Sequence, residues 1–157
     1  MKKFSEIAKH GVFIDVNNVG VLLSGQSGIG KSELALGLIS RGHKLIADDS
    51  VIFKKEDQRL IGSCPPLLQD FLEVRGLGIL NIRAMFNDAA IQKKKQLKLI
   101  INIIQVSQKS LHLIDRLYGM HNTQEILTIA IPEVSIPVAP GRNLSILVEA
   151  AVKNHLL

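Results

Sequence analysis

Glycines at 25, 28 and 30, followed by Lys31 and Ser32, form the first stretch of this sequence whose spacing is chemically specific. Gly25-Gln26-Ser27-Gly28-Ile29-Gly30-Lys31-Ser32 satisfies G-x-x-x-x-G-K-[ST] at every fixed position. Glycine lets the backbone turn tightly enough for successive N–H groups to converge on one anion. A helix starting just afterwards adds the positive end of its dipole. Lys31 is then placed to reach the β- and γ-phosphates of a nucleotide, and the Ser32 hydroxyl to ligate Mg²⁺. Such a loop binds a polyphosphate; it does not say what is done with it.

A second candidate follows at Lys44-Leu45-Ile46-Ala47-Asp48-Asp49. A short apolar strand ending in acid resembles the arrangement that holds Mg²⁺ in nucleotide enzymes. Neighbouring strand residues point to opposite faces, so at most one of Asp48 and Asp49 is a direct base. A charged loop after a strand fits the pair equally well.

These residues need elements to position them. Gly11–Val16 and Val19–Ser24 are β-rich runs around Asn17-Asn18, a hairpin or two successive strands. Leu34, Leu38 and Ile39 fall at helical spacing in Lys31–Ser40, and Arg41-Gly42 should end that helix. Lys44–Ala47 reads as a buried strand ending at Asp48-Asp49, with Val51–Phe53 continuing in β and Glu56-Asp57-Gln58 turning. Pro65-Pro66 breaks the chain before Leu67–Leu72, and Glu73–Ile82 is strand or loop. Leu97–Ile104 is a β-branched core strand. Ile126–Ile131 and Val134–Val138 read as two strands turned at Pro132. A helical stripe over Leu144–Leu157 follows a turn at Pro140-Gly141. The pattern is α/β with a mixed sheet and flanking helices.

Composition sets the bounds. The chain has 157 residues, 46% hydrophobic and 21% charged, which fits one globular domain over 1–157 and excludes a wholly disordered chain. The longest greasy runs are broken by residues such as Lys98 and Asn102, short of the roughly 20 apolar residues of a membrane helix. The single Cys64 excludes an internal disulfide and a cysteine metal cluster. These features suit the cytoplasm. A net charge of +5 raises nucleic-acid binding as an option, but aromatic residues are only 4% of the chain, a poor supply for base stacking. Lys93-Lys94-Lys95 with Lys98 reads instead as a solvated loop or a contact for an anionic partner.

Taken in order, further segments resemble the catalytic domain of the HPr(Ser) kinase/phosphorylase family. They are His10-Gly11, GQSGIGKSE at Gly25–Glu33, RGHKLIADD at Arg41–Asp49, EVRGLGILNI at Glu73–Ile82, Asp115-Arg116-Leu117 and PVAPGRN at Pro137–Asn143. Nearly the whole chain is covered, and the segment Glu73-Val74-Arg75-Gly76-Leu77-Gly78 is far more specific than the phosphate loop. The resemblance implies a phosphate-loop fold like that of phosphoenolpyruvate carboxykinases. It implies a bifunctional enzyme that phosphorylates a serine of HPr, a carrier protein of the sugar phosphotransferase system, from ATP or pyrophosphate. The reverse reaction would use inorganic phosphate and release pyrophosphate. Asp49 would take the serine proton, and return it in the reverse direction. Lys31 and Arg116 would neutralise the transferring phosphoryl group. Ser32 and Glu73 would hold Mg²⁺, and His10 matches an active-site histidine. Pro137-Val138-Ala139-Pro140-Gly141-Arg142 matches a loop tied to dephosphorylation, and the family assembles as hexamers.

Three departures bear on that expectation. Gln26 stands where the family usually has Asp, removing a charge near the phosphates. The chain starts just before His10, as in short forms lacking the N-terminal domain, and ends at Asn154-His155-Leu156-Leu157 inside a helix expected to be longer. The alternatives are a catalytically impaired nucleotide-binding sensor and a small-molecule kinase on the same fold.

Overall fold

Asn17 and Asn18 turn the chain as their residue types allow, both at positive φ (50° and 69°). They join β1 (Glu6–Val16) to β2 (Val19–Gly25) as an antiparallel hairpin with Val16 opposite Val19. The structure, a computed structural model, describes residues 5–105, 120–138 and 141–157. Helix α1 (Lys31–Ser40) follows β2 and ends where Gly42 takes φ 99°. Strand β3 (Lys44–Glu56) turns at Asp57, φ 58°, into β4 (Arg59–Ser63). A 3₁₀ turn at Pro66–Leu68 leads to a separate hairpin, β5 (Phe71–Val74) and β6 (Gly78–Asn81), and then to the short helix α2 (Ile82–Phe86). Strands β7 (Lys94–Gln105), β8 (Met120–Ile126) and β9 (Ile129–Val138) and helix α3 (Leu144–His155) complete the described elements.

The main sheet has the order β2-β1-β3-β4-β7-β9-β8. Strand β7 pairs antiparallel with β4 through Lys94–Gln96 and parallel with β2 through Leu97–Ile103. The ring β2-β1-β3-β4-β7 therefore closes on itself. Residues of one strand alternate between two cores, which explains why β1, β2 and β7 read as unbroken apolar runs. Phe13, Leu22, Phe53, Leu60, Leu97 and Ile100 fill one side. Gly62 is required there, since a Cβ would come within 2.4 Å of the Phe13 ring. Val12, Ile14, Leu23, Leu99 and Ile101 face the other side, against Leu34 and Leu38 of α1 and Val148 and Val152 of α3.

The mixed α/β fold, the first hairpin and helices α1 and α3 agree with the sequence pattern. Strand β1 starts earlier than the sequence pattern gives, at Glu6 and not Gly11, and three further boundaries differ. Strand β3 runs straight through Asp48-Asp49 instead of ending there, because both residues stay paired with β1 (Val12 opposite Asp48, Gly11 opposite Asp49). The turn between β8 and β9 is Leu127-Thr128, at φ 48° and 70°, and not Pro132. Pro132 sits inside β9 opposite Thr123, just before the stretch that pairs with β7, where its missing N–H costs no bond to β7. The lysine run is not a loop throughout: Lys95 lies in β7 and its Nζ donates to Asn18 Oδ1 at 2.6 Å and pairs with the buried Asp15 at 3.3 Å. That lysine pins the first hairpin turn to β7. Among the described residues no helix is long and apolar enough to cross a membrane.

Helix α3 is fixed to α1 by charge as well as by packing. Glu149 accepts from Arg41 Nε and Nη2 at 2.9 and 2.7 Å and meets His43 Nε2 at 2.6 Å. Bonding to Arg41 first, and to His43, holds the Glu149 carboxyl down at about 2. A depressed acid contributes stability above its unfolded pKa and loses it as pH falls through the folded one. Glu149→Gln should therefore lower stability by about 1–2 kcal/mol at pH 7. In urea titrations from pH 7 down to pH 2, the difference from wild type should shrink between the ordinary glutamate range and about 2. A constant difference across that range contradicts the assignment.

Candidate active site

The phosphate loop is built where β2 ends. Gly25, Gly28 and Gly30 take φ values of 145°, 84° and 109°, which side chains resist. A Cβ on Gly25 would also fall 2.5 Å from the Ile103 carbonyl of β7. Gly30 is the N-cap of α1 and supplies no side-chain hydrogen bond, so the first amides of that ten-residue helix remain donors for an anion. Lys31 is buried, and its Nζ donates to the carbonyls of Gly25 at 2.7 Å and Gln26 at 3.0 Å. An ammonium has three donors, so the loop orients this one and leaves a proton for phosphate. Burial holds the Lys31 ammonium below its ordinary range, against the pull of Asp48 and Asp49.

Opposite the loop, β3 brings in two acids and β1 a histidine. Asp48 is buried; its carboxylate accepts from the Glu73 amide at 2.9 Å and from the Ser32 hydroxyl at 3.5 Å. Burial pushes its carboxyl up, helped by the charges of Asp49 and Glu73, while the two hydrogen bonds pull it down. Asp49 takes φ 71° in the middle of a strand, a conformation aspartate tolerates better than most residues. This kink turns it outward, where its Oδ1 stands 3.1 Å from His10 Nδ1, both side chains being well exposed. Opposing Asp49 is Gly11, and a side chain there would strike the Leu23 carbonyl at 2.6 Å.

The β5–β6 hairpin closes a third side. Glu73 and Arg75 line the cleft with Gly76 and Gly78, and the Arg75 guanidinium lies over Gly28 of the loop, 3.1 Å from where a Cβ would be. The resulting cleft has a volume of about 400 Å³.

Of the residues singled out in the sequence, His10, Ser27, Gly28, Gly30, Lys31, Ser32, Asp49, Glu73, Val74, Arg75, Gly76 and Gly78 line this one cleft. Gly25 and Gln26 contribute carbonyls to Lys31, while Ile29 packs on the core behind the loop. Leu77 points to solvent at the hairpin turn. Pro137 and Arg142 line a different cavity of about 320 Å³ beside α3, with His121 and Asn154. Val138 packs against the core. Arg116, Asp115, Ala139 and Pro140 lie outside the described residues. Asp48, read in the sequence only as a possible strand-end acid, accepts a hydrogen bond from the Ser32 hydroxyl directly. Local alternation along β3 does not reveal it, because a bulge at Ile46 puts Ile46 and Ala47 in the same core, whereas Asp48 stands opposite Val12 on the face toward α1.

A profile of the HPr Serine kinase C-terminal domain family matches residues 2–157. The chain is 55% identical over 150 residues to the HPr kinase/phosphorylase of Neisseria meningitidis (serogroup C), covering 95% of this chain and 47% of that protein. It is 51% identical to the HPr kinase/phosphorylase of Nitrosomonas europaea, over 96% of this chain and 47% of the relative. The chain thus spans about half the length of the curated relatives it matches. The solved structure of the Hpr(Ser) kinase/phosphatase from Coxiella burnetii superposes with a TM-score of 0.86 at 35% identity, covering 96% of both chains.

The buried Asp48 yields a stability test. Its carboxyl binds a proton more tightly folded than unfolded, so it costs stability once pH rises above the unfolded value and through the folded one. Asp48→Asn keeps an acceptor for the Glu73 amide and removes that cost. At pH 8 the variant should melt about 2–4 °C above wild type, and its advantage should vanish toward pH 4. A lower melting temperature at pH 8 would show that the carboxylate is net stabilising.

Proposed function

Because the chain belongs to the HPr serine kinase C-terminal domain family, we propose that it transfers a phosphoryl group from ATP or pyrophosphate to a serine of HPr and removes it again by phosphorolysis. The observation that carries this reading is the convergence, on one cleft, of Lys31 and Ser32 of the phosphate loop with the His10–Asp49 pair. A phosphate loop alone only binds; an exposed carboxylate across the cleft supplies a base for an acceptor hydroxyl.

In the kinase direction the serine oxygen attacks the terminal phosphorus, the bond from that phosphorus to the leaving group (ADP from ATP, inorganic phosphate from pyrophosphate) breaks, and Asp49 takes the serine proton. His10, 3.1 Å away, orients Asp49 and shares that proton. Lys31 and the first amides of α1 hold the charge spread over the equatorial oxygens. In the reverse direction inorganic phosphate attacks phosphoserine, pyrophosphate forms, and Asp49 returns the proton to the serine oxygen. Arg116 and the segment Pro137–Arg142 are assigned their phosphate and dephosphorylation roles by resemblance. So are the hexameric assembly and the cytoplasmic location.

Mg²⁺ fits the donor set. The Ser32 hydroxyl and the carboxylates of Asp48 and Glu73 are hard oxygen donors on this cleft, and Mg²⁺ takes one or two protein carboxylates with phosphates and water completing its shell. When bound it would neutralise charge between the β- and γ-phosphates. Asp48 joins Ser32 and Glu73 in this assignment because it touches Ser32 directly.

Incubation with HPr, Mg²⁺ and ATP should give one added phosphate on a serine by mass spectrometry. Excess inorganic phosphate should then remove it and release pyrophosphate. Asp49→Ala should lower kcat by on the order of 10²–10⁴-fold while leaving nucleotide affinity within about 3-fold, since it removes no binding group. Lys31→Ala should weaken nucleotide binding itself. Nucleotide binding by the wild type without transfer to HPr would favour a sensor; transfer to a metabolite instead would favour a small-molecule kinase.

A further inference from the structure

The β5–β6 hairpin carries Glu73 and Arg75 into the cleft, yet it is a two-stranded sheet of its own, outside the backbone ladder of the main one. An isolated hairpin of this kind is marginally stable, so something must fix its direction. Leu72, Val74 and Ile82 are buried beneath it and resist lifting. Apolar contacts are non-directional and set its angle poorly.

Directional bonds occur at its two ends. At the cleft end the Glu73 amide donates to Asp48. At the open end the Ile82 amide donates to the Asp70 carbonyl at 2.9 Å, closing the base of the hairpin. Arg83 stands one residue further on. Its Nε and Nη2 reach the two carboxylate oxygens of Asp70 at 2.8 and 3.3 Å, and its Nη1 reaches Asp88 Oδ1 at 2.8 Å. These bonds, with Asp70 first, raise the Arg83 pKa further above its already high value. Asp70 is held at φ 73°, and Asn87, at φ 99°, ends the short helix that carries Arg83 while its side chain accepts from the Ala89 amide of the 3₁₀ turn Asp88–Ala90 that holds Asp88.

We propose that Arg83 is a positioning residue for the proposed phosphoryl transfer, acting as a clamp between Asp70 and Asp88 that sets the angle of the hairpin and so the place of Glu73 and Arg75 over the phosphate loop. The lever arm makes this consequential. Four strand residues span about 14 Å, so a rotation of about 10° at the base moves the Arg75 end by roughly 2 Å. Misplacement of about 1 Å in a transfer site can cost about 10²-fold. A fork of planar donors suits the task, because a bidentate pair fixes direction where a lysine fixes only distance. The Asp88 arm is highly exposed and contributes less than the half-buried Asp70 arm.

The inference rests on the transferase reading, and the test separates the two. Arg83→Met keeps the apolar stem, Arg83→Lys keeps the charge, and Asp88→Asn removes only the exposed arm. Each is compared with wild type by amide exchange, by titration with Mg²⁺-ATP, and by transfer to HPr. In Arg83→Met, exchange at Leu72 and Leu80 should quicken at least 10-fold with α1 and β7 unchanged. Its kcat should fall about 10-fold or more, with the KM for HPr within about 3-fold. Arg83→Lys should recover only part of the loss, and Asp88→Asn should show a smaller loss of the same kind, about 2- to 5-fold in kcat with a matching modest rise in hairpin exchange. Faster hairpin exchange with unchanged kcat overturns the proposal, as does faster exchange throughout the protein or full recovery by lysine. If the wild type transfers nothing, the functional reading fails. Hairpin exchange together with the Mg²⁺-ATP affinity then decides the clamp: an unchanged affinity despite faster exchange overturns it.

Discussion

A carboxylate removed from water must be met by N–H and O–H groups, and Asp48 is met from two sides. The Ser32 hydroxyl reaches it from the phosphate loop and the Glu73 amide from the β5–β6 hairpin. Three chain segments distant in sequence thus share one buried acceptor. Its burial makes the negative charge costly on its own, and the nearby Lys31 ammonium offsets that cost while being pulled below its own ordinary range by desolvation. Loop, strand and hairpin are consequently interdependent: displacing any one leaves a buried charge with fewer partners.

The strand register converts this electrostatic centre into a site with two different acids. Because β3 continues through Asp48-Asp49 against β1, the two carboxylates emerge on opposite faces, one inward to Ser32 and one outward to His10. Positive φ at Asp49 kinks the strand at the cleft without breaking the ladder, which continues with His10 opposite Ser50. Gly11 opposite, which no side chain could replace without striking the Leu23 carbonyl, is the structural counterpart of that kink.

How much of this could be read in the sequence depended on range. The loop Gly25–Ser32, the Asn17-Asn18 turn and the end of α1 at Gly42 are local, and residue types determine them. Two strand limits were misread because pairing overrode local signals. Asp48 and Asp49 look like strand breakers, but β1 holds them in the ladder; Pro132 looks like a turn, but it sits where β9 has no bond to give β7. The role of Lys95 could not be inferred, since its partners Asp15 and Asn18 lie across a sheet contact about 80 residues away. The same holds for Arg83, whose function as a fork shows only once Asp70 and Asp88 are brought to its two sides.

The ring of strands also dictates an order of events. Strands β1 to β4 pair among themselves (β2 with β1, β1 with β3, β3 with β4) as the chain emerges, through residue 63. Among the described residues strand β7 alone joins β4 to β2, with Gly20 opposite Leu97 and Gly25 opposite Ile103. Until synthesis has passed Gln105, both β2 and β4 are open edges, the kind of surface on which partly made chains stick to one another. Closing the ring means bridging a gap of more than 70 residues, an entropic cost that slows folding. The phosphate loop hangs from the end of β2 that this closure secures. A secured phosphate loop and escape from aggregation therefore arrive in the same late step.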